Sequence, residues 1–359
     1  MKFHANCPSR FLLFSLCFAL WLFPLGSHAQ TILHAIVKGR VIDDSTGAPL
    51  PLTNVFIANS TIGAAADAEG RFILKSVPLG TQEVVASIVG YGLDIWTLRI
   101  ADTNSYEIEF RLRPRAVLMP GVLVEGKDPV EWKKNLQRFL DAFLGSGPNA
   151  GRCRLMNPEV MDFQVDEKNN RLMAAARSPL AIENSALGYR FTYILHRFVE
   201  SPQLYQFVGV AHFEELQPRD GQEAAKWKEN RRKTYYGSRR HFLTALIKKT
   251  WKEDGFEVNS VRKTPPKMAL MWKSGHEVNA DTLLKPAAAA YERKLSFEGV
   301  MQVVCTQGRR QQISLMELEQ PVVTIYTNGL MENPLKMVTQ GYWSTQRVAD
   351  LLPTDYGPE

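Results

Sequence analysis

Between Val37 and Tyr91, short runs of β-forming residues alternate with Gly-, Asp- and Pro-rich turns at close, regular spacing. Turns that frequent leave no length for a helix, and they direct the chain into hairpins that stack as a small β-sandwich. In residues 37–41 the apolar or small Val37, Gly39 and Val41 alternate with Lys38 and Arg40, so one face points in and one out. Asp43 to Gly47 is a polar turn. Val55-Phe56-Ile57 is an unbroken apolar run suited to a strand buried on both sides. Asp67 to Gly70 turns the chain into the strand Arg71 to Leu74, and Pro78-Leu79-Gly80 turns it again into Val84 to Val89. Ile108, Phe110 and Leu112, alternating with Glu109, Arg111 and Arg113, form the last strand of the set. A sandwich of this kind binds or spaces, and it brings no reactive constellation of its own.

These residues also carry a resemblance. Gly39 with Val41, Gly47 followed by Pro49-Leu50, and Val55 agree in order and spacing with the carboxypeptidase-regulatory-like domain. So do Gly63, Asp67, Gly70 and Phe72, and then Pro78, Gly80, Gly90 and Tyr91. That domain is a transthyretin-like β-sandwich of Bacteroidetes-type envelope proteins, and the resemblance covers about residues 35–113. Ala66 departs from the family, which often has Thr or Ser there, and this removes one turn hydrogen bond. The module accompanies carboxypeptidases without being their zinc-bearing catalytic domain.

Residues 1–29 read as a secretory signal peptide: Lys2 and Arg10 flank an apolar run from Phe11 to Leu25, and Ser27-His28-Ala29 is a small-residue cleavage site. Phe14-Ser15-Leu16 before Cys17 lacks the small residue of a lipid-anchor site. No later stretch has the ~18 apolar residues of a membrane span, so no integral span is expected after signal cleavage. Loss of Lys2 and Arg10 takes the formal net charge from +6 to +4. Cys153 and Cys305 remain in the mature chain. In an oxidising compartment they could form a disulfide, or they could be two separately buried thiols.

After the sandwich (31–115) comes a linker (116–130). Met119 to Gly126 resembles the strand that leads into the plug and barrel of outer-membrane receptors. The 233 residues that follow (359 less 126) are too few for a barrel of about 22 strands. Residues 131–359 read as an α+β domain. Trp132, Leu136, Phe139, Leu140 and Phe143 recur at helical spacing from Pro129 to Leu144, with Gly145 as the stop. Strands are expected at 160–163, 172–176, 189–198 and 205–213. One or two helices follow over 224–251, broken near Gly237, with Phe242, Leu243, Leu246 and Ile247 as the apolar stripe. Later strands are expected at 295–305, 312–318 and 322–327, and a short helix near the end of the chain, over 341–353. Cys153 with Asn157-Pro158, residues 179–184 before Leu187-Gly188-Tyr189, Tyr236-Gly237-Ser238 and Gly341-Tyr342-Trp343 resemble the corresponding region of envelope proteins that carry the same sandwich. That likeness implies organisation and no chemistry.

Candidate sites are few. His212-Phe213-Glu214-Glu215 fits the spacing of two zinc ligands but lacks a third nearby. From Lys226 to Lys252 there are ten Lys and Arg against one acid, Glu229. Within that run Arg239, Arg240 and His241 could grip a phosphate or carboxylate, or could line the solvated side of a helix. Tyr235 and Tyr236 beside Arg231, Arg232 and Lys233 imitate a nucleic-acid surface, but export argues against that partner. No P-loop, dinucleotide fingerprint, G-x-S-x-G or HExxH motif occurs, and no cofactor is implied. The expectation is an exported, non-catalytic binding or assembly protein in the periplasm or at the outer membrane. Its partner would be an envelope protein or an anionic glycan or lipid headgroup. The alternative is an envelope peptide or glycan hydrolase with its site in the α+β domain.

Overall fold

Alternation of inward and outward side chains builds the first sheet of the computed structural model, which describes residues 34–114, 128–202, 205–261, 274–308 and 310–358. Strand β1 (His34–Asp43) buries Val37 and Val41 and exposes Lys38 and Arg40. It lies between β4 (Arg71–Pro78), antiparallel, and β7 (Ser105–Leu112), parallel. The second sheet has the order β3 (Gly63–Ala65), β2 (Asn54–Ile57), β5 (Gly80–Ser87), β6 (Asp94–Ile100). Val37, Phe72 and Phe110 from the first sheet and Val55, Ile57 and Val84 from the second fill one shared core. Asp43 fixes the first turn: its Oδ1 accepts from the N–H groups of Ser45 and Thr46, and its Oδ2 accepts from the Tyr91 hydroxyl at 2.8 Å. The sandwich is therefore as expected.

The α+β body begins with α1 (Pro129–Leu144), whose bounds match the helix predicted from spacing. Asp128 caps the Val130 N–H, Pro129 starts the helix, and Gly145 ends it at φ 91°. Its buried Phe139 and Phe143 press on a sheet of β8 (Cys153–Leu155), β11 (Leu180–Asn184), β12 (Tyr189–Glu200), β10 (Arg171–Ala176) and β9 (Met161–Asp166). Strand β13 (Tyr205–Glu215) pairs along β12.

A further core lies beneath α3 (Arg239–Lys248), while α2 (Gly221–Tyr235) bonds the carbonyls of Ser185, Ala186 and Leu187 through Trp227, Asn230 and Arg231. The break predicted near Gly237 is there: Gly237 adopts φ 79°, and its carbonyl accepts from the Trp343 indole at 2.8 Å. Phe242, Leu243 and Leu246 are buried and Ile247 is partly so. The sheets that complete this core are β15 (Ser274–Glu277), β14 (Phe256–Val261), β18 (Val300–Gln307), β19 (Arg310–Leu318), β21 (Met337–Gly341), and the smaller β16 (Leu284–Pro286), β17 (Glu292–Leu295), β20 (Val323–Tyr326).

Two expectations need correction. The run 295–305 is not one strand: Gly299, at φ 73°, separates β17 from β18, and the two join different sheets. The short closing helix expected over 341–353 covers only α4 (Tyr342–Thr345), and the chain then runs on without regular α-helix. The signal peptide and most of the linker, with its Met119–Gly126 strand, lie outside the described residues. No helix among the described residues is long and apolar enough to cross a membrane.

Candidate functional site

Residues 33–359 form one compact unit, and within it a seam joins sandwich and body. Val55 and Ile57 face the sandwich core, while Phe56 faces the other way and joins Ala58, Val85 and Val210 in a separate apolar cluster. The apolar run predicted to be buried on both sides owes its second buried side to the body. The His212 ring stacks on Phe56 with centroids 4.8 Å apart. Backbone hydrogen bonds stitch the β2–β3 turn to β13: Asn59 N–H donates to Ala211 O at 2.7 Å, and Phe213 N–H donates to Ser60 O at 2.9 Å.

The C-terminal tail closes the seam. Thr354 N–H donates to Asn59 O at 2.7 Å, Thr61 N–H donates to Asp355 Oδ1 at 3.0 Å, and the Thr61 hydroxyl bonds the same carboxylate. Arg240 holds this tail from α3. Its guanidinium donates to the carbonyls of Asn328 (3.2 Å), Pro353 (2.7 Å), Thr354 (2.5 Å) and Tyr356 (2.9 Å). Sequence reasoning placed Arg240 on a solvated face or at an anion. The structure instead gives it the role of a clasp on backbone carbonyls, and burial lowers its pKa. Arg239 is half-buried beside it. His241 lies in the core, where its Nδ1 accepts from Gly237 N–H at 3.1 Å and burial lowers its pKa. The three side chains are neighbours in sequence and do not converge on one site.

A cleft of about 350 Å³ opens beside the seam, lined by Thr61 and β3 on one side and by His212 to Glu215 on the other. His212 and Glu214, two apart on a strand, share the face turned toward the sandwich. Burial lowers the pKa of His212, against the opposing pull of Glu214 and Asp355. Glu215 does not join His212 as a ligand, because its carboxylate takes Arg231 at 3.2 Å. No cluster of three metal-ligating side chains forms among the described residues. A smaller cavity, about 140 Å³, lies where Asn149 bridges Thr234 and the half-buried Asp350. Burial raises the Asp350 pKa.

The disulfide between Cys153 and Cys305 is not formed. Both thiols are free, and they belong to different cores, Cys153 under α1 and Cys305 under α3. Burial pushes Cys153 up to about 12 and Cys305 to about 11. Both therefore stay protonated and unreactive at neutral pH. The cleft and the Arg240 clasp had no sequence signal beyond single residues, since their partners are backbone groups and distant strands.

Residues 37–124 match the family model of the CarboxypepD_reg-like domain. The match covers the sandwich from Val37 onward and confirms the resemblance carried by its turns and strands. Among solved structures, a type II cohesin–X-dockerin complex from Acetivibrio cellulolyticus is 25% identical over 22% of this chain and 56% of that one, with a TM-score of 0.19. This chain thus spans little more than half of it. The 5-hydroxyisourate hydrolase of Klebsiella pneumoniae is 16% identical over 23% and 91% of the two chains, with a TM-score of 0.18. A putative carbohydrate binding protein from Bacteroides uniformis ATCC 8492 is 9% identical over 82% and 99%, with a TM-score of 0.20. At such scores none of them bears on what this chain does. No curated protein matches.

Proposed function

We propose that this chain is an exported, non-catalytic binding or assembly protein of the cell envelope. In it the CarboxypepD_reg-like sandwich docks on the α+β body, and the body meets the partner. The observation that carries this reading is how the reactive side chains are engaged. His241 accepts a backbone N–H through one ring nitrogen, and its other stands 3.8 Å from Asp254. Cys305 next to this group is held protonated by burial. Glu215 pairs with Arg231, whose guanidinium also donates to the carbonyls of Leu187 and Gly188. Each of these groups is set in a structural contact, and the thiol beside His241 is kept out of its reactive form by burial.

An anionic envelope component fits the lysines that the fold leaves outside. Lys226 on α2 and Lys248 and Lys249 at the end of α3 are exposed, as is Lys252, which lies 3.9 Å from Glu277. Arg232 and Lys233 are already paired with Glu229. An exposed lysine contributes about 1 kcal/mol at an anionic surface, and salt screens it. The test is co-sedimentation with vesicles containing anionic lipid, at low and high salt. The wild-type protein should bind at low salt and release at high salt, and Lys248→Gln with Lys249→Gln should weaken binding. Arg240 stays untouched, since its loss would free the tail. Binding that ignores both salt and the two lysines would remove this surface as the partner site.

A further inference from the structure

The cleft beside the seam is bounded by two strand edges whose hydrogen-bonding groups point into it. In the β2–β3 hairpin, Ile57 N–H donates to Ile62 O and Ala66 N–H donates to Thr53 O. Antiparallel pairing alternates, so the pairs Ile57/Ile62, Val55/Ala64 and Thr53/Ala66 exchange ladder bonds, while Gly63 and Ala65 turn their N–H and C=O away from β2. β3 is the terminal strand of its sheet, and Gly63 and Ala65 are both exposed. Their outward groups have no protein partner among the described residues.

The facing edge is the end of β13. Ala211 and Phe213 direct backbone groups to Asn59 and Ser60, so by the same alternation Glu215 directs its own into the cleft. The two edges start together at the parallel Ser60–His212 bridge and separate beyond it. Between them the floor is the His212 ring, fixed by Phe56, with no hydrogen bond to either ring nitrogen from the described residues. Gly63 has to be small there: a Cβ would lie 2.3 Å from His212 Nε2. The rim carries Glu214, which stands opposite Arg190 on β12, whose guanidinium is taken by Glu183 at 3.1 Å, and Glu215.

We infer that this cleft takes an extended, cationic peptide segment, which adds as a strand to the β3 edge and sets basic side chains against Glu214. Main-chain bonds to Gly63 and Ala65 give such a segment its register, and the small β3 side chains let it approach closely. His212 offers it one more donor or acceptor from below. The acidic rim selects sign, so an acidic segment of the same shape is rejected. This site is separate from the lysines of α2 and α3 and stands or falls without them.

Calorimetric titration of the whole protein with a capped peptide of alternating lysine and valine tests the inference, with the glutamate–valine peptide as its counterpart. The lysine peptide should bind and the glutamate peptide should not. Ala65→Pro removes the outward N–H without touching a ladder bond to β2, and proline is tolerated on an edge strand. It should weaken binding about tenfold with the melting temperature unchanged. Glu214→Lys, on an exposed side chain, should weaken it similarly and covers the case in which the proline variant misfolds. No binding of the lysine peptide, equal binding of both peptides, or full affinity in Glu214→Lys and a folded Ala65→Pro would each overturn the proposal.

Discussion

His212 shows at the scale of one residue how packing decides chemistry. Its sequence context matched a ligand pair, and its surroundings make it a stacking partner for Phe56. Burial is the largest influence on its pKa and lowers it from the ordinary value of 6.5. The folded protein therefore binds this proton less readily than the unfolded chain does. The stability that the neutral ring provides is complete above pH 6.5 and is lost as pH falls through the lower folded value. Urea midpoints measured between about pH 5 and 8 should drop on the acid side. His212→Gln should flatten that drop, and an unchanged slope in the variant would assign it to other groups. Arg240 makes the same point from the charged side. A run of cations in a sequence does not distinguish one facing water from one facing carbonyls, because carbonyl acceptors have no residue signature.

Elements were legible wherever their determinants were local. The bounds of α1 follow from Asp128, Pro129, the Phe139 and Phe143 spacing and Gly145, all within one short stretch. β1 follows from the alternation of Val37 and Val41 with Lys38 and Arg40. What a strand pairs with is less legible, and Gly39 carries that lesson. In the sequence it reads as a small inward residue. In the fold it is where β1 meets β7 in parallel, and a Cβ there would lie 1.8 Å from Ile108 O. Gly39→Ala should therefore force the two strands apart and destabilise the protein by about 2 kcal/mol or more. Denaturant unfolding measures it, and a neutral result would mean that the sheet yields at this point. The seam was illegible for a related reason. Asn59 bonds a strand 152 residues away and Thr61 a carboxylate 294 residues away, and no periodicity records such separations.

At the scale of the whole molecule, sandwich and body have separate cores joined by an apolar cluster and a polar tail. The sandwich core is self-contained, so an isolated 31–115 segment should still unfold cooperatively. It would also bare Phe56, Ala58 and Val85, which Val210 covers in the intact chain. Size-exclusion chromatography should therefore find the isolated segment self-associated, and Phe56→Ser should return it to a monomer. A monomeric wild-type segment would mean that the exposed cluster is too small to matter.

The Arg240 clasp also has a consequence in time. A ribosome makes the sandwich first, and Asn59 and Thr61 emerge early. Thr354 and Asp355, which fasten that turn, emerge almost three hundred residues later. During synthesis the sandwich can fold, but it cannot be locked down. A product cut just before Pro353 keeps the residues of both cores and lacks their latch. A quality-control protease that samples opened seams could therefore tell chains that carry this latch from chains that lack it without reading either core.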